Sequence, residues 1–183
     1  DKDVAQSLER EFKKKGIKVY VDTNVTTHEK KNTCINITMQ TPKTEVNEDF
    51  DFVLVSIGRM PNTRELNLEK ADIKSQRDFV LTDEHLQTTN PKVYAIGDVI
   101  MSPALAHMAY HEASIAVENI TSEDLHVSSQ VVSFVTFSQP QVASVGKNEK
   151  LLKKEGLEYN IKKHFFKSSA KAKIKGDDSG FIK

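Results

Sequence analysis

Two glycine turns carry the residues best suited to chemistry. The run Val93-Tyr94-Ala95-Ile96-Gly97-Asp98-Val99 is apolar up to a glycine and then presents one acidic side chain. A carboxylate at the carboxyl end of a strand can accept hydrogen bonds from sugar-like hydroxyls, and the glycine lets the backbone come close to a ligand. In isolation the same pair also describes an ordinary turn. Leu105-Ala106-His107-Met108-Ala109 then opens a helical pattern. A helix start beside Gly97 would aim free backbone N–H groups, and the positive end of the helix dipole, at a developing negative charge. The second turn is Gly58-Arg59-Met60-Pro61-Asn62-Thr63, which ends the apolar run Phe52-Val53-Leu54-Val55-Ser56-Ile57. Here a fixed guanidinium follows the glycine and a proline sets the turn, a geometry that suits a phosphate-bearing ligand or a segment crossing between domains. A plain surface cation is the alternative for Arg59.

Other candidates read as structural. His107 and His111 are four apart on the expected helix, but no third ligand or intervening glutamate completes a zinc site, so surface or ligand-facing roles are expected and no metal is assigned. His28 stands among Glu29, Lys30 and Lys31 and reads as a solvated loop residue. Cys34, the only cysteine, excludes an internal disulfide and an in-chain redox pair; it reads as a buried strand thiol. Lys171, Lys173 and Lys175 share a face if the segment is a strand, and no aromatic residues interleave with them as nucleic-acid contact would require.

The elements that must position these residues follow from periodicity. Val4, Leu8 and Phe12 make one stripe of an amphipathic helix over residues 3–15, closed by Gly16. Ile17–Val21 reads as a strand, and Val25 begins another. His28 to Asn32 reads as a turn and Cys34–Met39 as a strand, giving a hairpin or meander. Lys43–Asp51 reads as polar connection. Phe52–Ile57 and Val93–Val99 read as buried strands of a doubly covered parallel sheet. Between them, residues 63–89 read as irregular crossing structure with one short strand at Phe79-Val80-Leu81. Leu105–Ile120 is the expected helix, and the polar stretch Thr121–Gln130 marks a domain boundary. Beyond it come a strand over 131–137, a loop and short strand over 140–146, a helix over 148–155 closed by Gly156, and a strand over 159–166.

Composition narrows the class. The chain has 183 residues, with 26 Lys+Arg balancing 26 Asp+Glu, so no net field favours nucleic acid or an anionic membrane. Apolar content of 38% fits a globular chain, no apolar run is long enough to span a bilayer, and no signal-peptide pattern opens the sequence. A cytoplasmic or equivalent compartment is expected. The chain opens without methionine inside a helical pattern and closes on a strand just beginning at Phe181-Ile182, so a piece of a longer protein is expected.

The strings Val55–Thr63, Val93–Val99 and Leu105–Ala109 with Glu112 together resemble the flavin-dependent pyridine nucleotide–disulfide oxidoreductases in content, order and spacing. Within that family the Leu-Ala-His triplet is more similar to the dihydrolipoamide-oxidising members than to the glutathione or mercuric reductases. Val142-Ala143-Ser144-Val145-Gly146 resembles the start of the family's dimerisation domain. The similarity is specific from about Phe52 to Gly146 and looser at both ends.

The resemblance implies an α/β fold made of parts of two Rossmann-like FAD- and NAD-binding domains, followed by the start of an α+β dimerisation domain. Residues 1–58 would be the second half of the NAD-binding domain, 59–128 a return into the FAD-binding domain, and 129–183 the first part of the interface domain. It implies FAD and NAD as cofactors, dihydrolipoamide or another disulfide or dithiol as substrate, and a homodimer. Gly58 would lie against NAD with Arg59 beside it, and Val25 near the adenosine part. Gly97 and Asp98 would meet the ribityl chain of FAD, and Ala104, Leu105, Ala106 and His107 would supply the helix start under the flavin ring. Departures are Gln141 in place of the family's glutamate after proline, Ala113-Ser114 where a glycine follows the helix glutamate, and Lys171-Ala172 in place of an arginine-alanine pair. The glycine-rich FAD motif, the NAD glycine fingerprint, the redox cysteine pair and the terminal His-Glu pair are not in this sequence, so the chain by itself is expected to be inactive. Two alternatives remain at this point: a mercuric or glutathione-type reductase of the same family, and a non-catalytic binding or assembly module.

Overall fold

The computed structural model describes residues 1–122, 124–128 and 131–183. Two compact units are present: residues 1–54 together with 133–183, and residues 55–132.

In the first unit, α1 (Lys2–Lys14) starts where the Asp1 side chain accepts a hydrogen bond from the Asp3 N–H at 2.9 Å, and it ends at Gly16, whose φ is +76°. Asp3 in its first turn and Lys13 and Lys14 in its last complement the helix dipole. A three-stranded antiparallel meander follows, formed by β1 (Asn24–Lys30), β2 (Ile35–Gln40) and β3 (Glu45–Phe50). β2 lies in the middle, so Ile37 and Met39 are buried there, with His28 and Glu48 opposite Ile37 and Val25 and Val46 opposite Met39.

Several expectations for this region need correction. His28, Glu29 and Lys30 belong to β1 rather than to a turn, because β1 is an edge strand exposed along its whole length and a polar sequence suffices there. The segment read as polar connection holds β3, in which Val46, Glu48 and Phe50 are half-buried while Glu45, Asn47 and Asp49 face solvent. Ile17–Val21 forms no strand: no ladder partner runs beside it among the described residues, and Lys18 and Tyr20 instead hydrogen-bond Glu48 Oε1 at 2.7 and 2.8 Å. Cys34 is half-buried and stands one residue ahead of β2.

The larger correction concerns the two apolar runs. Phe52–Ile57 joins no sheet, and Phe52, Leu54 and Ile57 are 91%, 91% and 95% exposed. Val93–Val99 contributes one antiparallel bridge, Tyr94 with Gln87, and then a 3₁₀ turn at Gly97–Val99. A strand needs a hydrogen-bonding neighbour along its length. Among the described residues the only parallel pairing is the single bridge Val80 to Ile100.

The second unit is built on short elements: 3₁₀ turns at Arg64–Leu66 and Leu68–Ala71, then β4 (Ser75–Gln76) paired with β5 (Phe79–Val80). The long helix α2 (Ala106–Thr121) packs against the Gly97–Val99 turn. Val80, Leu86, Ile100, Ile115 and Ala116 form its core, with Tyr94, Ala95 and Ile96 against it. Asn119, 5% exposed, donates from Nδ2 to the carbonyls of His85 and His126, both at 2.9 Å, and its Oδ1 accepts from the His126 N–H. That side chain ties the segment after α2 back to the 83–87 turn. The expected boundary at 121–130 includes Glu123, Ser129 and Gln130, which lie outside the described residues.

The first unit is completed by the antiparallel pair β6 (Ser133–Thr136), shorter than the strand expected over 131–137, and β7 (Val142–Val145), which falls within the loop and short strand expected over 140–146. Asn148 caps α3 (Glu149–Lys154) by accepting from the Leu151 N–H. The strand expected over 159–166 narrows to β8 (His164–Phe165). The lysine segment is the helix α4 (Ala170–Lys175) rather than a strand. Alternating Lys and Ala satisfies a period of two, but both are strong helix formers, and Ser169 accepts from the Ala172 N–H as an N-cap. β9 (Phe181–Ile182) pairs with β8, and the Phe165 and Phe181 rings meet with centroids 6.0 Å apart.

Candidate functional site

The Gly97 turn is held by a buried carboxylate. Glu112, on the second turn of α2 and 1% exposed, accepts the Gly97 N–H at 2.6 Å through Oε2. Gly97 has φ +70°, a left-handed conformation that favours glycine, and a Cβ there would stand 3.3 Å from the Ala109 Cβ. Glycine is thus required twice over, by conformation and by the closeness of the helix. Asp98, the next residue, projects outward with its side chain 45% exposed.

Arg59 comes to the same place from the other glycine turn. Its Nη1 donates to Asp98 Oδ2 at 2.9 Å, across 39 residues of sequence. Gly58 directly before it has φ +144°, again glycine's territory, with open space where a Cβ would stand. The structure therefore brings Gly58, Arg59, Gly97 and Asp98 together in the second unit.

α2 begins at Ala106 with Leu105 as its N-cap, and Leu105 has no side chain able to cap it. Ala104, Ala106 and His107 are exposed and Leu105 is half-buried. Among the described residues neither the Ala106 N–H nor Asp98 Oδ1 has a hydrogen-bond partner. An outward carboxylate oxygen on the turn that α2 packs against, and an uncapped start to that helix, suit a ligand combining hydroxyls with an electron-accepting ring. The donor set fits a flavin. Val25 lies in the other unit, on β1, 62% exposed and beside a bulge. No cluster of three or more metal-ligating side chains occurs among the described residues. A pocket of about 390 Å³ is lined in part by Leu81, Ile100, Ser102, Met108 and Glu112, but not by Arg59, Asp98 or Leu105–His107.

Glu112 and Asn119 carry roles that motif reading missed. Their signal was present: Met108, Glu112, Ile115 and Asn119 follow one helical stripe, and a carboxylate or amide on the buried stripe requires a buried partner. No helix is long and apolar enough to cross a membrane among the described residues.

Residues 1–113 match the pyridine nucleotide-disulphide oxidoreductase family, and residues 132–183 match the dimerisation domain of the same family. The chain is 35% identical, over its full length, to dihydrolipoyl dehydrogenase of Bacillus subtilis, of which it spans 39%. It is 36% identical to the mitochondrial dihydrolipoyl dehydrogenase of Homo sapiens, spanning 37% of that protein. Among solved structures, LpdA from Mycobacterium tuberculosis superposes over 99% of this chain and 39% of its own, with a TM-score of 0.87 and 23% identity. The flavoprotein disulfide reductase RclA from Escherichia coli covers 99% of this chain and 41% of its own at a TM-score of 0.86 and 20% identity, a likeness of fold. The chain spans about two fifths of the curated relatives it matches. It belongs to the pyridine nucleotide-disulphide oxidoreductase family.

Proposed function

We propose that this chain forms part of a flavin-dependent oxidoreductase of the dihydrolipoamide dehydrogenase type, which moves electrons between dihydrolipoamide and NAD. The observation that carries the reading is the Gly97–Asp98 turn, locked by Glu112 and offering an outward carboxylate oxygen where α2 packs. Bound FAD would supply the two-electron relay between nicotinamide and a dithiol. The residues of this chain bind and orient it. Asp98 accepts from ribityl hydroxyls, Gly97 lets the backbone approach, and Ala104, Leu105, Ala106 and His107 present the start of α2, whose N–H groups favour electron density on the ring. Gly58 takes the NAD side, with Val25 toward its adenosine.

Residues 1–58 are assigned to the NAD-binding domain, 59–128 to the FAD-binding domain and 129–183 to the interface domain, and the protein acts as a homodimer. Cys34 is the only cysteine here, so the redox pair belongs to sequence outside this chain. The compartment is the cytosol, or the mitochondrion named for several relatives.

Rates of NADH oxidation by the full-length protein with lipoamide, oxidised glutathione and mercuric ion test the substrate. Lipoamide is expected to support turnover at least a hundredfold faster than the other two. Preference for either competitor reassigns the substrate, and absence of bound flavin removes the enzyme reading altogether.

A further inference from the structure

We infer that α4 and the turn before it form a docking face for an acidic segment of a partner protein. The zero net charge of the chain conceals a division: residues 133–183 hold 11 Lys against 5 Asp+Glu, whereas residues 55–132 hold 6 Lys+Arg against 11 Asp+Glu. Within 133–183 some lysines are already neutralised, Lys147 by Glu155, Lys153 and Lys183 by Glu149, and Lys163 by Asp3. Around α4 the arrangement is different. Lys167, in the 3₁₀ turn Phe166–Ser168, and Lys171, Lys173 and Lys175 on the helix are all exposed, and none makes a side-chain ion pair or hydrogen bond among the described residues. The two carboxylates that follow pair with none of them: Asp177 accepts from the Ser179 hydroxyl, and Asp178 is half-buried.

Ile174 stands among these charges. It is 86% exposed, and its spacing from Lys171 and Lys175 puts all three on one face of the helix. An apolar side chain flanked by cations has the anatomy of a contact surface, an apolar centre with a polar rim. Like charges on neighbouring turns repel one another, so a partner bearing carboxylates relieves that repulsion as it binds. One exposed apolar side chain on a helix of 6 residues gives a lipid surface too little to bury. No aromatic ring lies between Lys167 and Lys175 for a nucleic-acid base to stack on. An acidic peptide needs neither; it takes the lysines as charge partners and Ile174 as its apolar contact. The inference is independent of the flavin assignment.

The test uses the full-length protein and, as probe, a short fluorescein-labelled peptide of glutamate and aspartate around one central leucine, followed by fluorescence polarisation in rising salt. Single-stranded DNA and phosphatidylserine vesicles are run beside it. The peptide is expected to bind, and to bind more weakly as salt rises. Lys171→Glu with Lys175→Glu is expected to weaken it about tenfold, and Ile174→Ser roughly three- to fivefold. Lys150→Glu with Lys154→Glu on α3 makes the same change in net charge, and is expected to leave affinity within about twofold. Urea unfolding shows that each variant folds. Should the glutamate pair lower the midpoint, Lys171→Gln with Lys175→Gln replaces it, with about a threefold loss expected. Absence of peptide binding overturns the inference, as does unchanged affinity in the α4 pair or in Ile174→Ser. Equal weakening by the α3 and α4 pairs overturns it by reducing the effect to net charge. Tighter binding of DNA or vesicles than of the peptide, lost in the α4 pair, overturns it in favour of a phosphate-bearing partner.

Discussion

The two compact units hold themselves together by different means. Residues 55–132 close around a buried core of Val80, Leu86, Ile100, Ile115 and Ala116, and the polar side chains inside, Glu112 and Asn119, are hydrogen-bonded to backbone. In the other unit the meander buries only Ile37 and Met39 on β2, and charge does more of the joining. Lys183 Nζ meets Asp1 and Asp3 at 2.8 Å each and also Glu149, while Lys163 reaches Asp3 at 2.6 Å. The beginning of the chain is thereby fastened to its end. Buried hydrogen bonds fix atoms in one place, whereas ion pairs respond to pH and salt. The candidate site lies on the first kind of framework.

The sharpest way to break this contrast is Glu112→Ala. It leaves the buried Gly97 N–H without an acceptor and opens a cavity beside Met108, and should cost about 2–4 kcal/mol in urea unfolding. Glu112→Gln keeps an acceptor and should cost clearly less; equal losses would mean that volume alone matters there. Gly97→Ala comes next. A side chain at φ +70°, with Ala109 Cβ at 3.3 Å, should cost about 1–3 kcal/mol and displace Asp98 from its place over the turn, read as lower flavin content.

Acid should sharpen the other half of the contrast. The Lys163 and Lys183 ammonium groups hold the Asp3 carboxyl below its ordinary value of 3.8, down to about 2. A carboxylate whose pKa falls on folding adds stability that is complete above its unfolded value and fades as pH drops through the folded one. Asp3→Asn should therefore flatten stability against pH between about 4 and 2, and high salt should do the same in the parent chain. A slope unchanged by Asp3→Asn would show that the clasp does not couple to folding.

Legibility from sequence followed the same division. α1, α2 and α3 were readable because one apolar stripe or one capping residue marks each. The Gly58 and Gly97 turns were readable because glycine and charge adjoin at the end of an apolar run. β3 was not, since Val46, Glu48 and Phe50 cover only one half-buried face and the other is wholly polar. Phe52–Ile57 has the apolar content of a buried strand but no ladder partner among the described residues: apolar content reports a wish for cover, while a strand requires a neighbour to bond. The lysine helix was misread because Lys171-Ala172-Lys173 satisfies a period of two, and only the Ser169 cap and helix propensity argue otherwise. The role of Glu112 depended on a partner fifteen residues away, which spacing alone does not reveal.

Asp98 is the residue on which flavin binding by this turn depends most directly. Flavin content per polypeptide should be measured after gel filtration for the full-length protein and its Asp98→Ala variant, both shown to be folded by circular dichroism. The predicted result is near-stoichiometric flavin in the parent and loss of most of it in the variant. Equal flavin in both would contradict the account, leaving the Gly97–Asp98 turn a structural feature and placing the cofactor elsewhere.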